Sequence, residues 1–192
     1  MRVTRAQAEE NRQNVINTAS RLFRQRGYDG IGVSDLMKAA GLTQGGFYKQ
    51  FESKEDLAAQ ASVRAMETSA RKWAQAKGAT SEPPLDAVLR FYLSPAHRDQ
   101  PGEGCPLVAL AADAARHGPA LRAAFESGIT DHLAVLDAVL TCAQETDIRQ
   151  KSLAVLATMV GALLLARVVQ DDALSRDFLT AAAEDIRTRC AP

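Results

Sequence analysis

Apolar residues in this chain recur every third or fourth position and nowhere alternate with polar ones. That regularity confines the chain to helices. Val15, Ile16, Ala19, Leu22 and Phe23 share one face at 3.6 residues per turn, which predicts a helix from about Ala8 to Arg26. Gly27 suits its end, because glycine accepts the positive φ that helices often need there. Val33, Leu36, Met37 and Ala40 predict a short second helix that stops at Gly41. A third begins with Thr43 as N-cap and turns Phe47 and Phe51 inward. Ser53 and Asp56 have capping-box spacing, so a fourth, longer helix is expected from near Lys54 towards Lys77.

Gly78 to Pro84, rich in Gly, Thr, Ser and Pro, breaks the pattern and opens a second half. Helices are predicted there over 84–93, 105–117, 119 to about 143, 147–169 and 175–189. Leu121, Phe125, Ile129, Leu133, Leu136 and Leu140 keep one apolar face in the third of these. Ser94 to Gly104 holds Pro95, Pro101, Gly102 and Gly104 and reads as a loop. The helix over 153–169 is apolar all round and carries small residues such as Ala157 and Gly161, which predicts burial on every side. A partner subunit is one way to provide it, with Phe178, Ala182 and Ile186 of the last helix completing a four-helix interface. A central core helix is the other.

Composition narrows the classes. A chain of 192 residues with 46% hydrophobic residues can bury a real core and is not disordered. Met1 to Arg12 is polar, so no signal peptide is expected. The longest apolar run, Leu153 to Ala166, falls short of the roughly 20 residues of a membrane span. Cys105, Cys142 and Cys190 are far apart and lack metal-ligand spacing. A soluble cytoplasmic protein with no metal and no cofactor is the expectation. No Ser/His/Asp order, paired carboxylates or phosphate-cradling loop stands out, so no catalytic residue is expected. The 23 basic and 23 acidic residues cancel overall, but residues 1–54 hold nine Lys/Arg against five acids. A basic head on an acidic body points to a polyanion partner for the head alone.

The most informative unit is the helix–turn–helix over residues 33–51. Ala40 is small enough for the two helices to approach, and Gly41 accepts the left-handed turn. The third helix is polar and small on its leading turn, as entry into a DNA major groove requires. Gln44 has the donor and acceptor to read an adenine edge. Gly45 and Gly46 keep no side chain between backbone and duplex, despite costing a helix about 1 kcal/mol each. Ser34, Thr43, Tyr48, Lys49 and Lys54 complete the candidate DNA contacts. Lys54 also stands at a helix N-terminus, which itself favours an anion. The N-terminal arm with Arg2 and Arg5 is expected to add phosphate contacts.

Leu22-Phe23-x-x-x-Gly27-Tyr28-x-Gly30, Ala39-Ala40-Gly41-Leu42 and Gly46-Phe47-Tyr48-x-x-Phe51-x-x-Lys54-x-x-Leu57 resemble the DNA-binding domain of the tetracycline-repressor (TetR) family. The motifs cover about the first third of the chain. The resemblance implies an all-α homodimeric regulator. It would have a three-helix helix-turn-helix DNA-binding domain (residues 9–69, with the motif at 32–51) and a helical effector-binding and dimerisation domain (78–192). It also implies a double-stranded operator and a small effector that releases the protein from it. The chain departs from the family at Ile31-Gly32, where Thr or Ser is usual, at Gly46 and at Gln44.

In the body, Met66, Trp73, Phe91, Tyr92, Phe125, His132, Met159 and Arg167 are candidates for an effector cavity or for plain core. His97 and His117 flank breaks and are expected at the surface. Cys105 precedes Pro106 at an expected helix N-terminus, which would lower its thiol pKa. It is a candidate effector contact or redox switch, or else a buried small hydrophobe.

Overall fold

The structure, a computed structural model, describes residues 4–78, 82–140 and 145–190. All regular elements among them are helical. The head comprises α1 (Arg5–Arg26), α2 (Val33–Ala39) and a 3-10 helix (Gln44–Lys49). From the head α3 (Lys54–Gly78) runs into the body, its first turns packed on α1. The body comprises α4 (Pro84–Tyr92), α5 (Pro95–Asp99), a 3-10 turn (Pro101–Glu103), α6 (Pro106–Ala114), α7 (Pro119–Asp137), α8 (Glu145–Val168) and α9 (Asp172–Cys190). The remainder of α3 packs on α4 and α7.

Local chemistry accounts for the boundaries. Thr4 caps α1 through its side chain, so the helix starts three residues before the predicted position, and it ends at Gly27 with φ 74°. At the start of α3, Ser53 Oγ accepts from Asp56 N at 3.0 Å. The Asp56 carboxylate accepts from Glu52 N at 3.1 Å, one residue earlier than in a standard capping box. Val15, Ala19, Leu22, Phe23, Leu36, Met37, Phe47 and Phe51 form the core of the head. Buried Tyr28 joins α1 to α3 through a 2.7 Å hydrogen bond to Ser62 Oγ. Burial pushes its phenol pKa up to about 12.

Several expectations are corrected. The 94–104 stretch is not a loop throughout, for it holds α5 and a 3-10 turn. Ser94 accepts from His97 N and Pro95 occupies the first helical turn, where a missing N–H costs nothing. The helix predicted over 105–117 ends at Ala114, and the one predicted to about 143 ends at Asp137. Cys142 and Arg2 lie outside the described residues, and Arg5 belongs to α1 rather than to a free arm.

α8 is not buried on every side. Val155, Met159, Leu163 and Ala166 face the chain's own core, while Leu153, Leu164, Leu165 and Val168 are exposed, Val168 at 70%. On α9 it is Ala182 and Ile186 that turn inward, with Phe178 half-buried, while Leu174 faces outward. The two helices run antiparallel, joined by Ser175 Oγ to the Ala166 carbonyl at 2.6 Å and Arg189 to Thr158 at 3.1 Å. By length and composition alone the stretch Asp147–Val168 is long and apolar enough to cross a membrane, contrary to the expectation from its apolar run.

Candidate nucleic-acid interface and the cluster behind it

The turn of the head is built as a Schellman motif. Leu42 N donates to Met37 O at 2.9 Å and Gly41 N donates to Lys38 O at 3.0 Å. Gly41 has φ 73°, in the left-handed region where a Cβ is strained. From α1, Asn14 Nδ2 donates to the Ala40 carbonyl at 2.8 Å and fixes the turn on its platform.

Residues 44–49 form a tight 3-10 helix rather than the α-helix expected. Gly46 N donates to Thr43 O at 3.1 Å, and Gln50 N donates to Phe47 O at 2.9 Å. Two adjacent glycines and only six residues leave an α-helix little to gain there. Thr43 occupies the N-cap position, but its side chain makes no capping bond. Phe47 is fully buried and stacks obliquely on Phe51 with centroids 5.4 Å apart, which anchors the segment. Its remaining side chains are thrown outward. Thr43, Gln44 and Lys49 are exposed, and Tyr48 is 73% exposed. Ser34 is exposed in the first turn of α2, and Lys54 is half-buried at the first residue of α3.

The two glycines have no internal reason to be glycine. A Cβ on Gly45 would meet nothing within 4 Å, and one on Gly46 would sit 3.7 Å from Met37 Cε, an ordinary contact. Neither has a positive φ. Arg12, by contrast, is spent inside the head, bonded to Gln60 and lying 5.5 Å over the Phe51 ring.

Behind the head, some of the candidate effector residues converge. Trp73 packs edge-on against Tyr92 (5.0 Å) and His132 (4.7 Å). His132 is buried with Nδ1 2.6 Å from Gly128 O and Nε2 2.9 Å from Ser69 Oγ, a pairing that a neutral ring satisfies. Cys105 is buried beside Tyr92, whose hydroxyl lacks a hydrogen bond of good geometry. Arg167 donates to the carbonyls of Arg98 (3.0 Å) and His97 (2.8 Å), closing the end of α5. Phe91 stands at the edge of a cleft. Met66 abuts Gly128, and Phe125 and Met159 are core residues. Burial pushes the Cys105 thiol pKa up, the reverse of the lowering expected at a helix N-terminus.

His97, expected at the surface, is mostly enclosed. Cys105 N donates to its Nε2 at 2.8 Å, so Nδ1 carries the proton that bonds Tyr92 O at 2.7 Å. Burial, reinforced by the charges of Arg167, Lys72 and Arg24, holds its pKa down at about 4. His117 is half-buried against the Tyr28 ring at 5.2 Å. The Ser94-Pro95 pair, a helix-start signal three residues before His97, is the one local clue that this segment folds back.

Besides ring and backbone packing, hydrogen bonds join the head and body among the described residues. The buried Arg24 guanidinium donates to Gly104 O at 2.8 Å and to Ser20 O at 3.0 Å. Glu55 Oε1 accepts from Gly118 N at 2.9 Å, at the start of α7.

Comparison with known proteins bears on this geometry. The family model "Bacterial regulatory proteins, tetR family" matches residues 15–61, and "Tetracyclin repressor-like, C-terminal domain" matches residues 82–182. The chain belongs to the tetR family. It is 41% identical over 56 residues to the HTH-type transcriptional regulator AcrR of Shigella flexneri, a match covering 29% of this chain and 26% of AcrR. It is 28% identical over 161 residues to the regulator LmrA of Bacillus subtilis, covering 81% and 86% of the two chains. The reduced form of Escherichia coli NemR superposes with a TM-score of 0.78 at 25% identity, over 93% of this chain and 96% of that one. This tetR-family chain is therefore a DNA-binding transcriptional regulator, and its relatives are transcriptional regulators rather than named enzymes.

Proposed function

We propose that the chain is a homodimeric repressor that grips a partly palindromic operator with two copies of the 43–49 ridge and lets go when a small effector enters the body. One observation carries the operator reading. A side chain would meet open space at Gly45 and only an ordinary contact with Met37 at Gly46, so nothing inside the chain requires either glycine and their bareness is read as serving an external surface. Gln44 would read a base edge, and Ser34, Thr43, Tyr48, Lys49 and Lys54 would hold phosphates. The division at residues 9–69 and 78–192 fits this reading, with α3 as the shared strut that carries motion between them.

The exposed apolar face of α8, with Leu153, Leu164, Leu165 and Val168, is proposed to meet its copy across a two-fold axis, flanked by Leu174 of α9. Burying such a stripe is what a half-exposed row of leucines on an otherwise charged body favours. It also accounts for the apolar length of α8 without a membrane, in keeping with a cytoplasmic protein. No catalytic step is assigned. NemR, which carries the name repressor, supports repression over activation.

Fluorescence anisotropy against a duplex recovered from a random library tests the reading. Two chains per duplex are expected, with affinity falling steeply as salt rises, by a log–log slope of about −0.9 per neutralised phosphate. Binding as a single chain, or binding indifferent to salt, refutes it.

A further inference from the structure

The turn over residues 100–104 stands between a small cleft and the DNA-binding head. On one side, Glu103 and Gly104 line a cleft of about 210 Å³, with Lys72, Phe91, Ser94 and His97 among its other walls. On the other side, the Gly104 carbonyl takes the buried Arg24 of α1. Gly102 lies so close to Gln25 that a Cβ there would come within 2.6 Å of its amide nitrogen. Lys72 holds the turn from the cleft side. Its ammonium donates to the Glu103 carbonyl at 2.8 Å and lies 3.9 Å from the Glu103 carboxylate.

The cleft has a definite chemistry. The Phe91 and His97 rings stack nearly parallel, 16° apart with centroids at 6.0 Å, and both line the cleft, which gives it an aromatic side. Three cations surround His97, but the heads of Arg24 and Arg167 are committed to backbone carbonyls. Lys72 also bonds one carbonyl, but it is partly exposed, its ammonium has three donors, and its 3.9 Å ion pair with the Glu103 carboxylate is a loose surface contact, so it is the cation of the three that a ligand carboxylate can reach and compete for. The volume suits one ring with a short arm, since drug-sized ligands occupy roughly 300–1,000 Å³.

We propose that this cleft binds a small aromatic carboxylate, which takes Lys72 from Glu103 and frees the 100–104 turn from α3, altering its hold on Arg24 and Gln25. The regulatory half rests on the effector-responsive function proposed for the chain, while the binding half stands on the cleft alone.

Trp73, the one tryptophan, packs on Tyr92 at 5.0 Å, and Tyr92 packs in turn on His97 of the cleft wall at 4.7 Å, so its fluorescence is the probe. Titrating the full chain with benzoate should give a saturable change that benzamide, the same ring without the charge, does not give. Lys72→Met should raise the half-saturating concentration roughly tenfold or more, because a charge-assisted bond is lost. Glu103→Gln, which weakens the competing carboxylate, should lower it. Benzoate should also weaken binding to the selected duplex for the wild type and leave Lys72→Met unaffected. Equal responses to benzoate and benzamide, no response to either, or a Lys72→Met curve matching wild type overturns the binding site. Benzoate bound with duplex affinity unchanged overturns the transmission. A wild-type chain that binds no duplex at all overturns the DNA-binding reading instead, and the fluorescence titration still decides the ligand.

Discussion

His97 should make this protein acid-sensitive by a predictable amount. Its Nε2 accepts the Cys105 N–H and its Nδ1–H is bonded to Tyr92 O, so both nitrogens are committed to the neutral ring. Protonation would place a second donor against the Cys105 N–H, with Arg167, Lys72 and Arg24 already nearby. The folded chain therefore holds this imidazole at about 4, against 6.5 when free. Between those values the unfolded state binds more protons than the folded one, so stability rises with pH. The contribution is complete above about pH 6.5 and is lost as pH falls through about 4. Linkage gives a loss of about 2 kcal/mol by pH 5 and about 3 kcal/mol by pH 4. Urea unfolding at about pH 7.5 and about pH 5 measures it, with His97→Gln as the control that keeps a donor and an acceptor. The stability difference between the two conditions should shrink by about 2 kcal/mol in the variant. Buried His132 acts with the same sign and leaves a residual slope in both proteins. An unchanged pH dependence in His97→Gln would refute the assignment of a locked neutral ring.

Gly41→Ala forces a side chain into φ 73° and should cost about 1 kcal/mol, seen as a melting temperature lower by roughly 2–4 °C. Lys49→Ala and Lys54→Ala should each flatten the salt dependence of duplex binding by about one unit of log–log slope, measured by anisotropy, without changing stability. Leu164→Arg or Val168→Glu should convert the proposed dimer to monomer in light scattering, since each side chain contributes on the order of 2 kcal/mol when its exposed area is covered. A variant that stays dimeric would move the interface elsewhere.

Periodicity and capping make the head legible in the sequence. Val15 to Phe23, the Gly41 turn and the Ser53–Asp56 cap act within a few residues of themselves, and local chemistry determines them. The 3-10 form of the ridge is hidden because Thr43 looks like an α-helix cap whether or not its hydroxyl is used. The body is less legible for a different reason. Spacing within α9 marks the face of Phe178, Ala182 and Ile186 as apolar, but whether that face packs on α8 of the same chain or on a partner is decided by tertiary packing, which no spacing within α9 encodes. His97 and Lys72 gain their roles from a turn that folds back across α3, a contact between residues far apart in sequence. Cys105 shows the same limit, because position at a helix start argues for a reactive thiol and only burial reveals the opposite.

The most direct test of the DNA-reading ridge is selection of bound duplexes from a random pool by wild type and by Gln44→Ala in parallel. Wild type should recover two inverted half-sites whose centres lie about one helical turn, or a multiple, apart. Gln44→Ala should lose base preference at one symmetric position in both halves and keep the rest. Identical motifs from the two proteins, or a wild-type motif without two-fold symmetry, would contradict the account.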